Sequence, residues 1–194
     1  RHEAIRVESV YGPSFLRGKI DRVDEKAAGD GRSVVVIDYK SSVKAFSEDN
    51  VINGSAVQLP VYLSALAASG DTPAGMLYMP LNPGYTEIKK SKDNEDAEKA
   101  QQERFALSGV TLTGVTDSYP GGRAVTAEKM REILEEAQKS VRTYCSRILS
   151  GNIEIAPSGG SWNSPCRFCE YRPFCKYSEE FSGNGSFSGK GRRS

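Results

Sequence analysis

The chain has 194 residues, of which 38% are hydrophobic and 26% charged, and its mean hydropathy of −0.49 with no apolar run near ~18 residues excludes a membrane-spanning helix. Twenty-six basic residues against 25 acidic ones leave a formal charge of +1, so a polyanionic partner has to be held by a local patch and not by the overall field. The length suits one ordinary domain plus an appendage, with enough core to fold without disulfides.

Arg1-His2-Glu3 offers no initiator Met, no basic leader and no apolar leader, so the chain reads as a piece of a longer protein. His2, its one histidine, reads as an exposed terminal residue. Apolar and polar residues alternate over 5–11, and 15–24 is a second extended run, which predicts two neighbouring strands. Turn chemistry at Gly29-Asp30-Gly31 precedes a run over 33–40 whose four aliphatics, Val34 to Ile37, suit a central strand covered on both faces. A polar loop is expected over 50–54. Ser55 then caps a helix through Leu59, Leu63 and Leu66 to Gly70, with Pro60 tolerable only in its first turn, and residues 74–81 form another strand.

Residues 93–104 are charged with few apolar positions and predict a solvated helix or loop. Thr126 caps a longer helix that runs to about Leu149 and stops at Gly151, with a stripe of Met130, Ile133, Leu134, Ala137, Val141, Tyr144, Cys145 and Ile148. This order of elements predicts an α/β or α+β architecture with a mixed sheet. Residues 182–194 hold four Gly, four Ser, Lys190, Arg192 and Arg193, a composition expected of a disordered basic tail.

Chemistry concentrates early in the chain. Asp21 closes Gly18-Lys19-Ile20-Asp21, and 17 residues later Asp38-Tyr39-Lys40 puts a carboxylate and a lysine on one face of a strand. If the two strands pair through the Gly29–Gly31 turn, both carboxylates converge on one hard cation, since Mg²⁺ takes oxygen ligands and keeps several waters. Lys40 beside them would position a nucleophile and offset transition-state charge. An exposed Asp–Lys pair worth about 0–1 kcal/mol is the plain alternative. Against it stands the placement at the end of a buried strand, where an unpartnered carboxylate is costly. Gln58 and Tyr62, four apart, share a face of the following helix and could reach DNA or a cation-held water, or be an ordinary amide and a half-buried Tyr. Arg22 and Asp24 point to the other face of their strand and read as structural pairing.

Gly18-Lys19-Ile20-Asp21-Arg22-Val23-Asp24, Asp38-Tyr39-Lys40-Ser41-Ser42 and Gln58-Leu59-Pro60-Val61-Tyr62 resemble the successive motifs of RecB-type PD-(D/E)XK nucleases, most nearly those of AddB-type subunits of bacterial ATP-dependent helicase-nucleases. The resemblance spans residues 8–176. It implies a restriction-endonuclease-like core, a central mixed sheet flanked by helices, with a cysteine-containing C-terminal extension. It further implies a Mg²⁺- or Mn²⁺-dependent deoxyribonuclease, an exonuclease, serving double-strand break repair and recombination. Asp21 and Asp38 would be metal ligands, Lys40 the catalytic lysine, and Gln58 and Tyr62 the supporting motif. DNA and an AddA-type helicase-nuclease subunit would be the partners, in the cytoplasm and away from membranes. The competing function is a silent nuclease-fold module that guides DNA or holds a partner, which the intact Asp21, Asp38 and Lys40 disfavour.

Cys166, Cys169 and Cys175 form a Cys-x2-Cys-x5-Cys run in a Pro- and aromatic-rich loop, a spacing that suits a shared metal or cluster better than paired disulfides. A fourth ligand is needed. Cys145 continues the apolar stripe of the long helix and reads as a structural thiol, which places the fourth ligand upstream of Arg1. The resemblance implies a [4Fe-4S] cluster held by three late cysteines and one distant earlier one. A zinc site that includes Cys145 is the alternative. The expected division is a nuclease core over 1–150, a cysteine loop over 151–181 and the tail over 182–194.

Overall fold

Five strands form the main sheet: β3 (Arg22–Ala28), β4 (Gly31–Lys40), β5 (Thr72–Pro80), β6 (Ser108–Leu112) and β7 (Gly122–Val125), in that spatial order. The computed structural model describes residues 4–29, 31–82, 104–155, 157 and 165–175. The expectations for His2, for residues 93–103 and for the tail 182–194 lie outside them. β3 runs antiparallel to β4, β4 parallel to β5, β5 antiparallel to β6 and β6 parallel to β7, so the sheet is mixed and the class α/β. β1 (Ile5–Ser9) and β2 (Gly12–Leu16) form a separate antiparallel hairpin. Among the described residues the helices of this part of the chain include α1 (Glu48–Ile52), α2 (Gln58–Ala68) and α3 (Ala127–Leu149). Among the described residues no helix is long and apolar enough to cross a membrane.

β4 is buried because it faces apolar groups on both sides. Val34 and Val36 join Leu59, Leu63, Met76, Met130 and Ile133 in one core cluster, while Val35 and Ile37 join Ala74 and Leu77 in another. Arg32 ties the starts of β4 and β5 together through a two-pronged contact with the buried Asp71, at 2.9 and 3.1 Å. The opposite, C-terminal ends of this parallel pair are left for chemistry, as open sheets usually arrange it.

α3 matches its sequence signals closely. Thr126 caps it by accepting the Lys129 N–H at 3.2 Å, and Gly151 leaves it at φ +74, a left-handed conformation that favours glycine. Its buried face is Met130, Ile133, Leu134, Ala137, Ser140, Val141 and Cys145. Ile148 is 73% exposed and Tyr144 42%, so the expected stripe ends earlier than the periodicity suggests.

Other boundaries moved for identifiable reasons. The single run expected over 15–24 is two strands in different sheets, broken over 17–21 where Gly18 comes against the ring of Tyr62. A Cβ on Gly18 would lie 2.7 Å from Tyr62 Cε1, so this close approach requires glycine. The polar loop expected over 50–54 is partly α1, capped by Ser47, whose hydroxyl accepts the Asn50 N–H at 3.4 Å. Ser55 caps nothing: its hydroxyl bonds Asn53 Oδ1 and the Asn50 carbonyl, and α2 starts after Val57 with no side-chain cap. Strands β6 and β7 had no expectation in the sequence.

The chain divides into two compact units, Arg1–Gly151 and Asn152–Ser194. In the second, a 3-10 turn (Pro165–Phe168) is followed by α4 (Arg172–Cys175). Cys169 N–H donates to the Cys166 carbonyl at 3.4 Å and Cys175 N–H to the Tyr171 carbonyl at 2.8 Å, so the two turns are built from local bonds.

Candidate active site

The antiparallel register of β3 and β4 pairs Arg22 with Ile37. One step further along both strands Asp21 comes opposite Asp38, and Asp21 Oδ2 accepts the Tyr39 backbone N–H at 3.1 Å. Asp38 is 2% exposed, whereas Asp21 sits at the surface. The two carboxylates thus occupy the C-terminal end of β4, one lining the interior and one the rim.

α2 supplies the other wall. Gln58 Nε2 donates to Asp38 Oδ1 at 2.7 Å, and Gln58 Oε1 accepts from Lys40 Nζ at 3.0 Å. One amide therefore grips both the carboxylate and the ammonium. The same Nε2 lies 3.3 Å from Tyr62 Oη, four residues on and on the same helix face. Lys40 also forms an ion pair with Asp38 Oδ2, an oxygen that is buried and makes no hydrogen bond. Asp21, Asp38, Lys40, Gln58 and Tyr62 are thereby all at one end of the sheet. The end of α1, which leads into α2, is held in place from outside: Ser140 Oγ on α3 donates to the Ile52 carbonyl at 2.9 Å, and Tyr144 Oη to the Asn53 carbonyl at 2.9 Å. Gly54, at φ +79, makes room for the Tyr144 ring.

Arg22 and Asp24 lie on the other face of β3. Arg22 contacts both Asp24 oxygens, at 2.6 and 2.9 Å, and Tyr119 Oη donates to Asp24 Oδ2 at 3.1 Å. The Arg22 hydrogen bonds, with help from Tyr119, hold the Asp24 carboxyl below its usual range despite partial burial.

Two residues of the cluster had no counterpart in the sequence motifs. Tyr78 on β5 is the register partner of Asp38, and its ring lies under both Lys40 Nζ, at 5.4 Å from the centroid, and Lys44 Nζ, at 4.7 Å. Its hydroxyl is buried without a hydrogen-bond partner. Burial first, and the neighbouring Asp38 charge second, push its phenol up to about 12. The Lys44 ammonium is pushed below its ordinary value, by burial and then by Lys40, with Asp38 acting the other way. Only the lysine-rich spacing after Asp38-Tyr39-Lys40 could have hinted at Lys44; Tyr78 sits in an ordinary strand pattern.

The chemistry of the donor set suits a divalent cation. Asp38 Oδ2 is a buried carboxylate oxygen with lone pairs to spare, and Asp21 is its neighbour on the adjoining strand end. Mg²⁺ binds through one or two carboxylates plus waters, so this pair fits it. Among the described residues no three His, Cys, Asp or Glu side chains gather into a metal-holding group, either here or at the C-terminal cysteines. Cys166, Cys169 and Cys175 form no disulfide, and the last two are exposed. Cys145 is a free thiol buried against Val7 and Val141.

Comparison with known proteins points to one family. The family model of the PD-(D/E)XK nuclease superfamily matches residues 1–176. Similar curated proteins include the B-type subunit of the ATP-dependent helicase/deoxyribonuclease of Moorella thermoacetica, 30% identical over 88% of this chain and 18% of that protein. Its counterpart in Clostridioides difficile is 26% identical over 87% of this chain and 18% of its own length, and that of Acetivibrio thermocellus 27% over 84% and 17%. The chain therefore spans less than a fifth of the relatives it matches.

Proposed function

The chain belongs to the PD-(D/E)XK nuclease superfamily, and from that premise we propose that it is the metal-dependent deoxyribonuclease domain of a helicase-nuclease acting on broken DNA ends. The observation that carries the proposal is the single bonded cluster of Asp38, Gln58 and Lys40 beside Asp21 at the C-terminal end of β4. Asp21 and Asp38 would hold Mg²⁺ or Mn²⁺. A divalent cation bound there supplies Lewis-acid polarisation of a phosphodiester.

The protein's own groups divide the remaining work. Lys40 presents an ammonium, three-quarters buried, to the phosphodiester, where it orients the attacking water and offsets the charge that builds on phosphate oxygens. Gln58 fixes Lys40 and Asp38 relative to each other, so neither must reorganise when substrate arrives. Tyr62 steadies the Gln58 amide, and its ring is seated against Gly18, which ties α2 to the turn that carries Asp21. Lys44 adds a second positive charge on the Tyr78 ring for the flanking phosphate.

Exonucleolytic cutting, service in recombination and pairing with an AddA-type helicase subunit follow from the likeness to the helicase/deoxyribonuclease proteins and belong to the same proposal. So does the [4Fe-4S] cluster: Cys166, Cys169 and Cys175, outside any disulfide and on consecutive turns, would give three thiolates, with a fourth from elsewhere in the full protein.

The test is cleavage of end-labelled single-stranded DNA with Mg²⁺ or Mn²⁺, comparing wild type, Asp38→Ala and Lys40→Ala, with EDTA as control. Metal-dependent cutting that both substitutions abolish is expected. Equal rates for wild type and Asp38→Ala would sink the assignment of the site.

A further inference from the structure

Away from the catalytic cluster, the tip of the β1–β2 hairpin and the outer face of α3 enclose a shallow groove of about 460 Å³ lined by Tyr11, Lys139, Arg142, Thr143, Arg147 and small serines. No acidic side chain lines it. Tyr11 stands at the hairpin turn, 59% exposed. Arg142 is exposed and makes no salt bridge or hydrogen bond with any described residue, and Lys139 has only a loose contact with Glu136 at 3.7 Å. We propose that this groove is a binding site for single-stranded DNA, gripping phosphates through Lys139 and Arg142 and stacking a base on Tyr11. The proposal rests on the nuclease reading for its choice of polyanion and extends it to a second foothold on the strand.

Charge placement on α3 supports it. All the acids of this helix lie at or before Glu136, and every charged residue after that is basic. Helix-dipole complementarity explains a cation only in the last turn, which covers Arg147 but not Lys139 or Arg142 higher on the helix. Four acids on the first half would repel a strand that the second half attracts, so the groove has a defined limit along α3. Its mix of cations, hydroxyls and one exposed aromatic ring is what a non-specific single-strand site uses: charge tracks the backbone and the ring accepts any base. With net charge near neutrality the overall field does little, and a local patch such as this one can attract DNA.

The hairpin connects groove and catalytic cluster. Tyr11 begins the segment that runs through β2 to Gly18, which lies against Tyr62. That segment can span at most ~25 Å. The groove is thus placed to hold the strand a few nucleotides from the bond that is cut.

The test is fluorescence anisotropy of a labelled oligothymidylate of roughly 20 nucleotides, several times one single-strand site at its smallest, titrated with the full chain in EDTA over a range of salt. Because nothing is cut under these conditions, a failure of the catalytic reading leaves this result unaffected. Arg142→Glu is expected to weaken binding and to lower the salt slope by about 0.7 for each phosphate no longer neutralised. Tyr11→Ala is expected to weaken binding roughly 5- to 100-fold with the slope unchanged. Arg142→Lys should keep the wild-type slope. Both altered residues are exposed, and unchanged melting temperatures will show that the fold is intact. Wild-type affinity and slope in Arg142→Glu and Tyr11→Ala overturn the proposal. That same result is the one expected if the groove instead receives an acidic protein segment.

Discussion

Tyr78→Phe should make this protein more stable. The side chain is 1% exposed and its hydroxyl has no hydrogen-bond partner, although it sits on the strand next to Asp38. A buried polar group left unsatisfied costs about 1–3 kcal/mol, and deleting that one oxygen leaves the ring and its packing in place. Some of the gain is returned, because a phenyl ring under Lys40 and Lys44 attracts the two cations slightly less well than a phenol. The net expectation is about 1 kcal/mol, or roughly 2–4 °C in Tm for a chain of this size. Alkaline pH provides an independent check of sign. The phenol titrates near 10 when unfolded and about 12 when folded, so the folded state holds its proton more tightly and stability from this group is lost as pH rises from 10 towards 12. The advantage of Tyr78→Phe should therefore widen over that interval. The assay is thermal and urea denaturation in metal-free buffer, with cleavage measured in parallel. A loss of about 1 kcal/mol or more, or a difference that does not grow with pH, would refute the reasoning and mean that the hydroxyl has a partner in solution.

Gln58→Ala removes two hydrogen bonds to charged groups at once, each worth about 1.5–3 kcal/mol. Lys40 can recover water because it is 25% exposed, but Asp38 at 3% cannot, so a net loss of about 2–3 kcal/mol in urea denaturation is expected together with slower cleavage. Asp24→Asn reports on the other face of the sheet. Its carboxyl is held below the ordinary carboxylate value by Arg22 and Tyr119, so its contribution is present above that value and fades as pH falls below about 4; the substituted protein should show a flatter acid limb below about pH 4 in its pH–Tm profile.

How much of this was legible depends on whether a residue's neighbours are near it in sequence. α3 was readable almost to the residue, because Thr126 and Gly151 are local signals that act within one turn. The strand from Val34 to Ile37 was readable because four aliphatics in a row leave no solvent face. β6 and β7 were not, since Ser108–Leu112 and Gly122–Val125 contain small and polar residues whose burial comes from distant strands. Thr111 is fully buried and Gly109 is required because a Cβ there would lie 2.0 Å from the Met76 carbonyl oxygen. At the site, Asp21, Asp38, Lys40, Gln58 and Tyr62 stood out by charge and spacing. Tyr78 enters only through the parallel register of β4 and β5, a pairing that spans an entire helix.

The cluster also explains why function and stability should separate differently at each of its members. Gln58 bonds Asp38 Oδ1 and Lys40 pairs with Oδ2, and Asp38 is almost sealed from water, so removing either neighbour leaves a buried carboxylate that must find another partner. Asp21 lies at the rim, where its charge is already hydrated and its one bond is to a backbone N–H. A neutral residue at 21 removes a candidate cation ligand and little else, whereas a neutral residue at 38 removes a candidate ligand and also relieves a buried charge that Gln58 and Lys40 were arranged to meet. The Asp38 position is therefore where the fold has accepted strain between chemistry and stability, and the Arg32–Asp71 contact at the far end of the same two strands holds the pair in register.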